Sequence, residues 1–164
     1  MKLGEIIRAS KSNIEIGGWS SGRIPPSAFP IKRKFPSGRD WDWRVITFEA
    51  LGRCFRLLIR LNLDKAQYSA ILSLEGNSAL QVICHHEFHL SHRSWHCHFI
   101  AGDVTKTHPN VLRDRERMRV FDQSPSLDGK MQFDMNRAEA FSKALRRFRI
   151  VPPAANENQA ELAL

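Results

Sequence analysis

Six of the seven histidines, His85, His86, His89, His92, His96 and His98, fall between residues 79 and 102, together with Glu87 and two of the three cysteines, Cys84 and Cys97. His96 and His98 are two residues apart. Side chains at that spacing on a strand point the same way, so two imidazoles can share one divalent ion when a neighbouring strand supplies a third donor. His85 and Glu87 are the candidates for that donor. Neutral imidazole suits Zn, Mn, Co or Ni, and an ion with an open coordination position polarises a phosphodiester. Glu87 has two available roles, as a further ligand or as the acid/base acting on a water.

Whether these groups meet depends on the hairpin that carries them. With Leu90 to Arg93 as the turn, His89 lies opposite Ser94, Glu87 opposite His96 and His85 opposite His98. His85, Glu87, His89, His96 and His98 then share one face. A turn with an odd number of residues would instead place His96 and His98 with Cys84, His86 and Phe88. The first register is the one expected here. A two-residue turn at Gly76-Asn77 extends the argument one strand back, pairing Glu75 with Ser78 and Tyr68 with His85. The only tyrosine would then stand beside the histidines as a candidate nucleophile. On the other face, Cys84, Cys97 and His86 are either a structural zinc cluster or small buried side chains; without a Cys-X2-Cys spacing the second reading is preferred. His108 is isolated, and Asp40 and Asp42 around Trp41 read as surface acids. The chain has no Walker loop, dinucleotide-binding glycine pattern or serine elbow.

The surrounding pattern is that of an antiparallel sheet. In residues 53 to 63, Phe55, Leu57, Ile59, Leu61 and Leu63 alternate with Cys54, Arg56, Leu58, Arg60 and Asn62. Trp43 to Ala50 precedes this strand, Tyr68 to Glu75 follows it, and the two histidine-bearing segments complete a count of five. Short connections require antiparallel neighbours. The expected fold is α+β, with about five strands in a meander over residues 43 to 102. A helix over 136 to 149 packs on it, capped by Asn136 with Glu139 three residues on, and buries Ala138, Phe141, Leu145 and Phe148. Residues 1 to 40, broken by Pro and Gly, read as an extended basic arm with a short strand near Asn13 to Ile16. Residues 41 to 150 form the single domain and 151 to 164 a flexible tail. Val111 to Phe121 reads as a short helix or an ordered basic loop.

At 164 residues the chain suffices for one core. Three cysteines and the absence of an apolar leader point to the cytoplasm, and no apolar run approaches the roughly 20 residues that cross a bilayer. The formal charge of +8 favours a polyanionic partner. Arg56 and Arg60, and Arg146, Arg147 and Arg149, are the residues expected to contact nucleic acid. Aromatic and basic residues of the arm either run along single-stranded nucleic acid, stacking its bases, or lie over the domain surface, and an arm pinned on the domain by its apolar residues is the preferred reading.

His85, His86 and Glu87, followed by Trp95-His96-Cys97-His98-Phe99-Ile100, resemble the histidine motif of HUH endonucleases, the Rep and relaxase group. The resemblance implies an antiparallel sheet flanked by helices, a divalent metal held by His96, His98 and either His85 or His86, and a tyrosine that attacks single-stranded DNA. Tyr68 is the sole counterpart of that tyrosine. It precedes the His-X-His pair, as in relaxases, but at the start of a strand. A water activated by the metal would need no tyrosine, with Glu87 orienting or deprotonating it.

Two function classes follow. The first is a metal-dependent endonuclease acting on nucleic-acid phosphodiesters, with His85, His96 and His98 as ligands and Tyr68 and Glu87 as catalytic groups. The second is a non-enzymatic basic protein that binds nucleic acid or a protein partner, of the kind that serves plasmids or phages as an accessory or inhibitor.

Overall fold

A computed structural model describes residues 1–31, 40–76, 79–89, 94–122 and 135–153. The elements are α1 (Leu3–Arg8), β1 (Ser12–Ile16), β2 (Ser20–Ser21), β3 (Asp42–Ala50), β4 (Arg53–Asn62), β5 (Gln67–Glu75), β6 (Leu80–His89), β7 (Ser94–Ile100), a 3-10 turn (Val104–Lys106), β8 (Met118–Asp122) and α2 (Arg137–Phe148). The eight described strands form one sheet in the order β1-β3-β4-β5-β6-β7-β8, with β2 also pairing β3. All pairings are antiparallel.

The expected meander is the centre of this sheet, β3 to β7, and the strand count is larger because both ends of it are extended. The N-terminal region, expected as an extended arm, contributes a helical turn and two strands. Leu3 and Ile6 of α1 are buried in the core, so a six-residue helix too short to persist alone is held by packing. At the other edge, the segment read as a short helix or basic loop adds β8 to β7 through Met118 to Asp122.

The β3–β4 turn is two residues, with Ala50 paired to Arg53 and both Leu51 and Gly52 at positive φ, 51° and 69°. A primed turn of this kind matches the twist of the flanking strands. Gly52 adopts that conformation freely, whereas Leu51 does so at a cost. Beyond the turn, β4 is buried without interruption from Leu57 to Asn62. Phe55, Leu57 and Ile59 on one face and Leu58 on the other are all fully buried, so both faces of the sheet are covered at its centre.

Helix α2 covers the face that carries Tyr68, His86, Trp95 and Cys97. The Lys143 ammonium sits 4.2 Å from the Trp95 ring centroid, and the Arg44 guanidinium of β3 sits 4.1 Å from that of Phe141. The helix begins where the sequence indicates, Asn136 Oδ1 accepting from the Glu139 N–H at 2.9 Å. It ends on Arg149 in the left-handed region, φ 51°. The fully buried stripe is Ala140, Ala144 and Phe148, with Phe141 and Leu145 at its margin. Ala138, expected in the stripe, is exposed. Alanines on that line let the helix lie close to the sheet. Arg137 fastens its first turn, both its Nε and Nη2 donating to the Asp42 carboxylate at 2.8 and 2.9 Å. Asp42 is therefore a tether for α2 and no loose surface acid.

Candidate metal centre

The two strands that hold the histidines pair as the even-numbered turn requires: His85 with His98, Glu87 with His96 and His89 with Ser94. The turn itself, residues 90 to 93, lies outside the described residues. Side chains of His85, Glu87, His96 and His98 accordingly converge on the sheet face opposite α2. Glu87 stands in a row that crosses five strands, Trp43, Arg60, Ser69, Glu87 and His96 being successive partners from β3 to β7.

Glu87 is the hub. Its Oε1 lies 2.9 Å from His96 Nε2 and 3.2 Å from His98 Nε2, and its Oε2 lies 3.1 Å from His85 Nε2. His89 Nε2 is farther, at 4.0 Å. Arg113, from the loop between the 3-10 turn and β8, brings Nη2 onto the same Oε1. Glu87, His85 and His96 are buried, whereas the side chain of Arg113 is 40% exposed, so the cluster meets solvent on the Arg113 and His98 side.

Charge follows from this enclosure. Burial alone would push the Glu87 carboxyl up, but His85, Arg113, His96 and His98 around it bring it down to about 2. Burial drives His85 down to about 3, so near neutral pH it is an uncharged base and Arg113 is the standing cation beside the carboxylate. His98 is lowered as well, first by burial and then by Arg113. Arg60, across the row, is buried with its guanidinium 4.0 Å from the Trp41 ring centroid, and burial lowers it to about 10.

Glu87, His96 and His98 each offer one donor atom, all within 4.8 Å of one another, and together can hold a metal ion. Donors bound at about 2.1 Å around one ion stand about 3.0–3.4 Å apart at octahedral to tetrahedral angles. The 2.9 and 3.2 Å separations from Glu87 are close to that spacing. The donor chemistry, two imidazoles and a carboxylate, suits Zn or a neighbouring first-row ion. Buried polar atoms nearby support the fit: neither ring nitrogen of His85 nor the Ser69 hydroxyl makes a hydrogen bond among the described residues. His85 contacts the carboxylate without the alignment a hydrogen bond needs, so it borders the donor group and is not one of its three members.

Tyr68 is elsewhere. It pairs with Phe88, not His85, for two reasons: Glu75 pairs with Leu80 and not with Ser78 as a two-residue turn would require, and β5 and β6 shift register by one more residue between Leu72 and Ser73. A strand offset by an odd number of residues turns every side chain to the other face. Tyr68 is consequently enclosed on the α2 side, edge-on to His86 and Trp95 with ring centroids 5.8 and 5.4 Å away. Burial pushes its phenol far up, away from the phenolate a nucleophile needs. Beside it, Cys84 and Cys97 bring their sulfurs to 3.3 Å, free and buried, the reading preferred from sequence. His86 lies close by against Trp95, ring centroids 5.2 Å apart.

The expected arginines do not gather at the cluster. Arg56 donates to Glu75 and to the carbonyls of Ser27 and Ala28. Arg147 lies near the Cys97 sulfur under α2, and Arg146 and Arg149 are exposed at the end of that helix. Arg60 alone shares the row of Glu87. Arg113 belongs to the basic run of Arg113, Arg115, Arg117 and Arg119, and nothing in its spacing marks it for Glu87, 26 residues away. Comparisons with protein-family models, curated proteins and solved structures return no match.

Proposed function

We propose that this protein is a divalent-metal-dependent phosphodiesterase acting on nucleic acid, with single strands favoured. The observation that carries the reading is the convergence of Glu87, His96 and His98 donor atoms within 4.8 Å beside a half-exposed arginine. A divalent ion held there supplies Lewis-acid polarisation of a phosphoryl oxygen. The chain's own residues do the rest. The β6–β7 ladder fixes the two imidazoles and the carboxylate, and Arg113 offers a planar donor fork matched to phosphate oxygens. The net charge of +8 draws a polyanion to the surface without reading its sequence. In this mechanism Tyr68 has no part, and the likeness to HUH endonucleases narrows to the His96 and His98 pair.

The second reading, a non-enzymatic binding protein, draws on one observation: Arg113 already neutralises Glu87. A buried carboxylate so compensated can serve structure alone. Untagged protein separates the two. Its metal content is measured, and cleavage of labelled single-stranded DNA and RNA is followed with and without chelator. Stoichiometric metal with chelator-sensitive cleavage supports the enzyme; neither metal nor cleavage leaves the binding protein, whose affinity for nucleic acid must then fall steeply with salt.

A further inference from the structure

Arg113 and a divalent ion compete for the same oxygen. The Arg113 guanidinium rests on Oε1 of Glu87, the atom that also faces His96 and His98. A dication among those donors would stand within a few ångströms of the guanidinium, and like charges so close in a partly buried site repel strongly. One of them must yield. Arg60, the cation in the row of Glu87, is buried under Trp41, whereas the Arg113 side chain already reaches solvent over part of its surface.

The loop beneath Arg113 is pinned independently of that contact. Asn110 N–H donates to the Leu80 carbonyl at 2.8 Å. Asp114 is buried and accepts from the Arg117 backbone and guanidinium and from the His108 N–H. The Met118 N–H in turn donates to the Asp114 carbonyl at 2.8 Å. The backbone at residue 113 therefore stays beside the site when the guanidinium leaves, and the arc open to the side chain is the solvent side of the cluster.

We infer that Arg113 is an exchangeable counter-ion: it neutralises Glu87 in the metal-free protein and, when a divalent ion takes that carboxylate, turns to bind a phosphoryl oxygen of the substrate. This rests on the metal reading above and adds to it a residue that holds the substrate's phosphate and an order of events, metal first and anion second.

Two titrations test it, with zinc alone and then with phenylphosphonate, a non-hydrolysable phosphate mimic. Arg113→Gln should bind zinc about tenfold more tightly than the wild type, because the competitor is gone. Zinc-loaded wild type should bind phenylphosphonate at least about tenfold more tightly than zinc-loaded Arg113→Gln, and metal-free wild type should bind it weakly. Equal zinc affinities, or phenylphosphonate binding that ignores Arg113, overturn the inference and leave the metal site standing. Failure of both proteins to bind zinc overturns the metal reading itself. Should Arg113→Gln not fold, the Arg113 side-chain Nε–Hε NMR signal of the wild type decides: it must move on adding zinc and again on adding phenylphosphonate, and a signal that zinc leaves in place refutes the exchange.

Discussion

Oε1 of Glu87 lies 2.9 Å from Nε2 of His96, and the same two residues are direct partners across the β6–β7 ladder. Ladder and ligand pair thus coincide, so the distance is set by backbone pairing and not by loop placement. A pre-set pair binds an ion with little reorganisation. His96→Ala or His98→Ala should weaken zinc binding by about 100-fold, the upper end of what disturbing a metal's surroundings costs. Calorimetric titration against untagged wild type checks this, and unchanged affinity in both variants would remove the centre.

Tyr68→Phe makes the opposite prediction. The phenol oxygen is buried with no hydrogen-bond partner among the described residues, on the far side of the sheet from Glu87. Deleting an unsatisfied hydroxyl should leave stability unchanged or raise it by about 1 kcal/mol. Metal binding and any cleavage should persist. Loss of cleavage with an intact fold would return a tyrosine mechanism to consideration.

Acid should destabilise the fold in two stages. His85 and His86 are both lowered from 6.5 to about 3, by burial above all. For His86, Arg147 and Lys143 of α2 and the neighbouring His85 and His96 add to the effect. The unfolded chain takes up these protons below pH 6.5 and the folded chain does not, so stability falls as pH drops from about 6.5 toward 3. Each such group contributes up to about 1.4 kcal/mol per pH unit in that window. Glu87, lowered from 4.5 to about 2, adds stability that is present above 4.5 and lost as pH falls toward 2. Urea midpoints measured from pH 7 to 4 should decline steadily, and His86→Phe should flatten the decline. Parallel curves for the two proteins would contradict a buried neutral imidazole.

Helix α2 should not tolerate bulk on its inner line. Ala144 is completely buried, so Ala144→Leu should cost roughly 1–3 kcal/mol by forcing helix and sheet apart. Ala138→Leu, on the exposed side, should be close to neutral. Thermal melts of the two variants make the comparison, and similar shifts would place the helix differently.

The pairing of Glu87 with His96 was legible in the sequence because alternation across a hairpin leaves few registers. The strand at residues 53 to 62 and the Asn136 cap were legible for equally local reasons. Tyr68 was not, since the shift between Leu72 and Ser73 leaves no mark in composition and reverses every facing beyond it. Helix α1 escaped notice because its six residues form only where Leu3 and Ile6 find the core. Arg113 escaped for a related reason: its partner is chosen by a folded loop, and its own neighbours in sequence are arginines and acids typical of a solvated surface.

Cys97 stands between His96 and His98 and points the other way, its sulfur 3.3 Å from that of Cys84 beneath α2. The three consecutive residues are thus shared between two chambers with a common wall one backbone thick. Neither chamber can be redesigned alone. A larger side chain at position 97 would press on the helix and, by recoil through that wall, splay the two imidazoles behind it.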